Sequence, residues 1–334
     1  MDLTICIPCF NDAAKVYDLL HSIYVSDTDG LQYEVIVCDG KSDDNIDDVI
    51  AAWKKKLPLH LISTYYKASA SVNLNAGADC AQGEVFCRID SHCQVTATFL
   101  KSGLREFRMR RDHYSALGPS VNVVASRSDK ISKEIAKLYM SPFLFGPSKY
   151  KRSIFYKKFS GELGNIFLGF YSTEDVKKIR FSENIRRKQD IEFLSRLKAS
   201  KGLGFYNSSE VVINYFLKQD RIFPLLGRCF SQGRILVNSI SSSRIVHFVP
   251  LICALLFLLL VSVNVAYVPA LITYLAFSCV FGIVECRSLL GAVLAVVLFP
   301  LAHLSYVIGN IFGLSSALVL AVKIKSQEDL DTKP

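Results

Sequence analysis

Apolar and polar positions alternate in blocks along the first half of the chain. Leu3 to Pro8 is a short apolar run of β type, and "DAAKVYDLLHSI" after it has helical spacing. "LQYEVIVC", ending at Cys38, predicts a second buried strand, stopped by the turn-forming cluster "DGKSDDN". A helix over "DDVIAAWKKK", a strand over "LHLIST", a helix over "SVNLNAGADCAQ" and a strand over "GEVFCRID" continue the series. Strands alternating with helices of this length predict an α/β domain, its mostly parallel sheet covered on both faces.

The pattern changes after residue 240. From Ile245 to Val322 the only full charges are Glu285 and Arg287. Ile245–Val263 is long enough to cross a bilayer core, and a second apolar run reaches Val284. The third tract, 288–322, is too long for one simple span. It predicts either a hairpin broken near Gly309 and Asn310, or a span plus an interfacial helix holding His303, Tyr306 and Gly313. The expected division is a sheet domain over 1–240, a region of two to four hydrophobic transmembrane helices over 241–325, and a polar tail over 326–334.

Composition sharpens this picture. The hydrophobic fraction of 51% is raised by the tail. Ten cysteines are scattered without a CxxC motif, a pattern of free, buried thiols in a reducing compartment. "MDLTICIPCF" lacks the basic lead and long apolar run of a signal peptide, so the sheet domain is expected in the cytosol. The net charge of +9 is local, in "KYKRSIFYKK", in Arg186, Arg187 and Lys188, and in Arg221, Arg228, Arg234 and Arg244 before the tail. With no helix-turn-helix, zinc-finger or RNA-recognition signature, nucleic acid is not an expected partner. Basic residues beside apolar spans point instead to the cytoplasmic face and anionic lipid headgroups.

Ligands of such sheets sit beyond the carboxyl ends of the strands, where Pro8, Phe10, Asn11, Asp39, Asp90 and His92 all fall. Two acids at neighbouring strand ends repel unless a cation or donors intervene, which favours a metal–phosphate site; a turn or helix-capping role for Asp39 is the plain alternative. Cys87, Asp90, His92 and Cys93 crowd one short stretch and raise the idea of zinc. A structural zinc site needs a closed quartet, and no second Cys/His pair follows. GxGxxG and GxxxxGK[ST] are both missing, which removes the main support for dehydrogenase and P-loop readings.

"IPCFNDAAKVYDLLHSI", "YEVIVCDGKSDD", "NLNAGADCAQGEVFCRIDSHC" and "RRKQDIEFLSRLKASKG" occur in order. Together they resemble the inverting family-two glycosyltransferases of GT-A fold, and within them the membrane-anchored succinoglycan-type (ExoA-like) branch, over roughly residues 3–240. The resemblance implies a nucleotide-diphosphate sugar donor, with Pro8 to Asn11 lining the nucleotide pocket and Asp39 on the nucleoside, at its uracil face. Asn75 and Gly77 match the helix start beside that pocket. Asp90 and His92 fall on the metal motif, DxD in the wider family and DxH in this branch, for a divalent Mg2+ or Mn2+ ion. Chemistry asks for the same ion: negative charge develops on the departing diphosphate, and a hard cation stabilises it with few carboxylates.

"RRKQDIEFLSRL" begins a helix with Ile191, Leu194 and Leu197 on one side and Asp190 at its amino end. Alone, Asp190 reads as an acid favoured by the helix dipole. Gln189-Asp190 resembles the family's ED motif, which makes Asp190 the general base. Glu192 is either an acceptor contact or a surface charge. Gln232 and Arg234 resemble a shortened QxxRW motif with Ile235 in place of tryptophan, implying contact with acceptor or diphosphate, or a juxtamembrane anchor. The reading is transfer of one hexose to a lipid-linked oligosaccharide for exopolysaccharide, capsule or lipopolysaccharide, by a multi-pass enzyme of the cytoplasmic (inner) membrane in contact with membrane lipids. Its rivals are transfer to a polyprenyl phosphate, a non-catalytic nucleotide-binding membrane scaffold, and a metal-assisted hydrolase.

Overall fold

The computed structural model describes residues 1–145, 159–185, 189–237, 249–263 and 267–331. The basic stretch 149–158, Arg186 to Lys188 and Arg244 lie outside them. The chain divides into two compact units, one of Met1–Val123 with Lys149–Phe216, the other of Val124–Ser148 with Leu217–Pro334.

The first unit is built on a nine-stranded sheet. Its strands are β1 (Leu3–Cys9), β2 (Tyr33–Asp39), β3 (Leu59–Ser63), β4 (Val85–Arg88), β5 (Cys93–Val95), β6 (Tyr114–Ala125), β7 (Gly161–Leu163), β8 (Gly169–Ser172) and β9 (Gly204–Leu217). The order is β3-β2-β1-β4-β8-β6-β9-β5, with β7 on β9. β1, β2, β3 and β4 pair in parallel, as their unbroken apolar runs predict for strands covered on both faces. Beyond β4 the pairs β4–β8, β8–β6, β9–β5 and β9–β7 are antiparallel, so the sheet is mixed.

Helices α1 (Ala13–Tyr24), α2 (Ile46–Trp53), α3 (Ala70–Cys80) and α4 (Phe99–Arg110) follow the early strands. Ser69 caps α3 through Val72 N–H at 3.4 Å. Gly77 lets α3 lie hard on the sheet: a Cβ there would come within 2.4 Å of Cys6 Sγ and 2.9 Å of Cys38 Sγ. After β8 come α7 (Thr173–Ile179) and α8 (Gln189–Lys201), with α5 (Lys130–Tyr139) and α6 (Pro142–Phe145) earlier in the chain. α8 differs from its expected face. Ile191 is 47% exposed, and Phe193 with Leu194 and Leu197 makes the buried side. Phe193 wins because it stacks on Phe181, ring centroids 4.1 Å apart.

The second unit is helical. It holds α5, α6, α9 (Ile222–Val237), α10 (Val249–Ser262), α11 (Tyr267–Cys286) and α12 (Leu289–Asp331). α11 and residues 289–316 of α12 are long and apolar enough to cross a membrane. α10 has 14 residues, and Ile245 to Phe248 of the first apolar tract are outside the described residues. α12 is one helix of 43 residues with Pro300 inside it. The break expected near Gly309 and Asn310 does not occur. Gly309 is instead a crossing point, where a Cβ would stand 2.1 Å from the carbonyl oxygen of Phe230 on α9.

Candidate functional site

The site begins where the parallel strands stop. Cys9 and Asp39 are partners in the β1–β2 register, and Asp39 faces Ser63 of β3. The Asp39 carboxylate accepts from Ser42 N at 2.9 Å and from Ser42 Oγ at 2.5 Å. Asn11 N–H donates to Ser42 Oγ at 2.7 Å, and Asp43 N–H donates back to Asn11 Oδ1 at 2.8 Å. Asn73 Nδ2 donates to the Cys9 carbonyl at 3.2 Å, and its Oδ1 accepts from Thr64 Oγ1 at 2.6 Å. The loops after β1, β2 and β3 are therefore tied into one frame.

That frame holds unusual backbone. Asn11, Lys41 and Lys67 have φ of 52°, 58° and 56°, a left-handed conformation that costs non-glycine residues free energy and collects at ligand sites. Phe10 meets Tyr66 edge to face at 5.8 Å, and Tyr66 Oη donates to Asp43 at 3.2 Å. Pro8 sits on β1 beside Cys38 of β2. The sequence expectation for Pro8, Phe10, Asn11 and Asp39 thus concerns residues that do lie together.

Asp90 and His92 follow β4. Arg88, the last residue of β4, donates to Asp90 Oδ1 from Nε at 3.2 Å and Nη2 at 3.1 Å. Ser91 Oγ donates to Asp12 at 2.8 Å, and the His92 ring lies edge-on to Tyr215 at 4.6 Å. Cys87 and Cys93 are buried, and burial pushes both thiols up from the ordinary range. Cys9 is pushed up by burial and then by Asp39. All ten cysteines are free, and the thiols in this stretch are packing groups held protonated.

Arg88 is the member that sequence reasoning passed over. It is only 6% exposed, and its guanidinium stands 5.9 Å from the Phe181 ring. Burial opposes its charge, yet Asp90, then Asp190 and Tyr171, outweigh that and hold its pKa above the usual arginine range. Phe181 carries Arg88 on its ring and Phe193 of α8 in a stack, so the start of α8 is brought to the end of β4. Asp90 binds this buried cation directly, and the charge of Asp190 favours it as well. The readable signal was a lone arginine ending an apolar strand two residues before the acid.

Asn75 is placed differently from the expectation of a nucleotide contact. Its Nδ2 donates to the Phe181 carbonyl at 2.9 Å and to Glu183 at 2.8 Å, and its Oδ1 accepts from Phe181 N–H at 2.8 Å. That amide anchors the segment leading toward Gln189 and Asp190, beside a hollow of about 340 Å³ lined by Asn75, Phe181, Glu183, Asn184, Glu192 and Arg196. Glu192 pairs with Arg196, Oε2 to Nη2 at 2.9 Å, which holds its carboxyl below the usual range. Gln232 and Arg234 belong to α9 in the second unit, Gln232 half-buried and Arg234 exposed.

Among the described residues no three His, Cys, Asp or Glu side chains form a metal cage. Asp90 uses one oxygen for Arg88, leaving the other for a cation. That fits a hard divalent ion bound through one or two carboxylates plus substrate phosphates, and does not fit an all-protein site.

Residues 4–167 match the family Glycosyl transferase family 2. A Methanococcus voltae protein named dolichyl N-acetyl-alpha-D-glucosaminyl phosphate 3-beta-D-2,3-diacetamido-2,3-dideoxy-beta-D-glucuronosyltransferase is 27% identical over 220 residues, 65% of this chain and 67% of that one. The mannosyltransferase PcManGT from Pyrobaculum calidifontis, solved with GDP-Man and Mn2+, is similar with a TM-score of 0.62 and 14% identity, covering 93% of this chain and 87% of that chain. TarS of S. aureus superposes with a TM-score of 0.52 and 17% identity; the match covers 74% of this chain and 45% of TarS. Its 1–349 fragment in complex with UDP-GlcNAc gives 0.51 and 16%, over 73% of this chain and 68% of the fragment. Residues 4–167 therefore match the family-two glycosyltransferase model, and the mixed α/β sheet is of GT-A type.

Proposed function

We propose that the chain is a membrane-associated, metal-dependent, inverting hexosyltransferase. It moves one hexose from a nucleotide-diphosphate sugar, a UDP-sugar, to a lipid-linked oligosaccharide in surface-polysaccharide synthesis of the succinoglycan type. The carrying observation is buried Arg88, which binds the Asp90 carboxylate beyond the strand end and whose charge is also favoured by Asp190. The lipid-linked acceptor is supported by the Methanococcus voltae relative, whose name carries a dolichyl-linked sugar. UDP is supported by the TarS fragment solved with it and by the acid Asp39 at the nucleoside end.

The frame around Asp39, Asn11 and Phe10 holds the nucleoside, leaving the diphosphate toward Asp90. A divalent ion bound there with Asp90, and His92 beside it, would supply charge to stabilise the departing diphosphate. The acceptor hydroxyl oxygen forms the new bond to the anomeric carbon from the face opposite the leaving group. The old C–O bond breaks with its electron pair going to the diphosphate, and Asp190 takes the hydroxyl proton. Arg88 is a positioning residue for both acids. Gln189 and, in the second unit, Gln232 and Arg234 are assigned to acceptor or diphosphate.

The test is a screen of radiolabelled nucleotide sugars on membranes holding the full chain, with lipid extraction. Label should enter the lipid fraction with one donor, and stop on chelation until Mg2+ or Mn2+ returns. Nucleoside diphosphate released at equal rate without any lipid-linked acceptor would sink transfer and leave hydrolysis.

A further inference from the structure

The apolar helices of the second unit are covered along one side by α5, α6 and α9, of which α5 and α9 carry charged residues. Lys137 of α5 donates to the Cys286 carbonyl at 3.3 Å, at the turn between α11 and α12. Farther along α12, His303 Nε2 lies 2.9 Å from the Phe143 carbonyl of α6, and Ser305 Oγ donates to the Leu226 carbonyl of α9 at 2.8 Å. A Cβ on Gly233 of α9 would stand 2.1 Å from the Tyr306 carbonyl oxygen and 3.1 Å from Asn310 N. From Leu289 to Asn310 is roughly 32 Å of helix at 1.5 Å per residue. A bilayer's hydrocarbon core is about 30 Å thick.

α5 and α9 also stay together. At their starts Ser126 Oγ donates to the Leu217 carbonyl at 2.8 Å, and Arg127 N–H to Asp220 at 2.9 Å. Farther on, the Arg228 guanidinium of α9 stands 5.4 Å from the Tyr139 ring of α5. The two helices cannot lie at opposite faces of a bilayer. If α12 crossed upright, Lys137 at its start and Arg234 beside Gly309 would stand about a bilayer apart, and the joined α5, α6 and α9 would have to enter the hydrocarbon with Arg228 between them. On the side of α12 away from them, Leu289, Val293, Val297, Leu304 and Ile308 are all exposed.

Resting on the membrane-associated reading above, we propose that α11 and the first part of α12 lie along one leaflet rather than across the bilayer. Their bare apolar stripe sinks among the acyl chains, while α5 and α9 face the anionic headgroups and water. The charged turn at Glu285 and Arg287 then stays on the same face of the bilayer as the chain entering α11. This replaces the multi-pass arrangement expected from hydropathy. An apolar stripe backed by a basic polar side is the physical signature of an interfacial element.

The test uses the full chain in sealed vesicles of both orientations and a membrane-impermeant maleimide. The thiol introduced by Ser262→Cys reports the chain just before α11, and that introduced by Arg287→Cys reports the turn after it, so any crossing by α11 puts the two on opposite faces. In-plane helices predict that both thiols label from the same face, with the other orientation at the wild-type background for the turn. Labelling of the turn from the opposite face overturns the proposal and leaves membrane association standing. A wild-type chain that does not sediment with membranes overturns both. Arg287 has φ of 53°, so Ser288→Cys, in ordinary helix-start surroundings, repeats the measurement should the first variant fail to accumulate.

Discussion

The two units place polar and apolar residues in opposite ways. In the first, Leu3, Ile5, Ile7, Val35 and Val37 are wholly buried, and polar groups gather where the strands end. In the second, Ser278 and Asn310 are wholly buried while Leu258, Val284 and Leu289 are 62%, 62% and 82% exposed. Burying apolar area stabilises a fold only where water is the alternative. The first unit is therefore built by the hydrophobic effect, while the second adds close backbone approach and inter-helix hydrogen bonds to its buried apolar contacts, the kind of packing helices use in lipid.

Substitutions should separate these two logics. Asp190→Asn should lower kcat by about 10²–10⁴ with donor binding intact, because it removes a proton acceptor and not a contact. Steady-state transfer on membranes reads this, and unchanged turnover would return Asp190 to a helix-end acid. Phe193→Ala, in the first unit, should cost about 3–5 kcal/mol by leaving a cavity against Phe181, measured by thermal unfolding. Gly309→Leu, in the second, should cost about 1–3 kcal/mol or more through overpacking against the α9 backbone. Its Tm loss in detergent should be matched by no change in donor affinity.

Asn310→Leu is the sharper probe of the second unit. Neither side-chain polar atom of Asn310 has a hydrogen-bond partner among the described residues, although the residue is wholly buried. An apolar replacement should be neutral or stabilising by about 1–3 kcal/mol, the cost of an unmade buried bond. A Tm that falls by several degrees would show the amide to be engaged. The smallest effect belongs to Glu192. Its carboxyl pKa is lowered by Arg196, so the pair stabilises above the ordinary glutamate range and is lost as pH falls through the lowered value. Glu192→Gln should flatten the acid limb of stability by about 0.3–0.5 kcal/mol, the worth of a helix i,i+4 pair.

The parallel half of the sheet was legible because buried parallel strands write themselves as apolar runs ending in polar turns. Asp39 and Asp90 could be placed for that reason. The antiparallel half was not, since β8 and β6 acquire their neighbours from distant chain segments. Arg88 was hidden because a charge at the edge of an apolar run reads as solvated, and only its partners reveal a buried pair. Asn75 was assigned to the pocket because helix position is visible in sequence while the target of an amide is not. Gly309 and Asn310 read as a break, yet α12 runs through them and through Pro300 as well. A proline removes one hydrogen bond and kinks a helix, while neighbouring helices can hold it whole.

The second unit is assembled from separated pieces of chain, and this has a consequence in time. α5 is synthesised well before the α11–α12 turn that its Lys137 and Glu134 contact. At about 5–20 residues per second, the gap from Tyr139 to Cys286 takes roughly 7–30 s. Throughout that interval Ile135, Leu138 and Tyr139, buried in the finished protein, have no α12 to cover them. A nascent chain halted after residue 216 should bind a dye for exposed apolar surface, and the finished chain in membranes should lose most of that signal. The ribosome's tempo, and whatever shelters α5 meanwhile, belongs to the folding problem that this chain order sets.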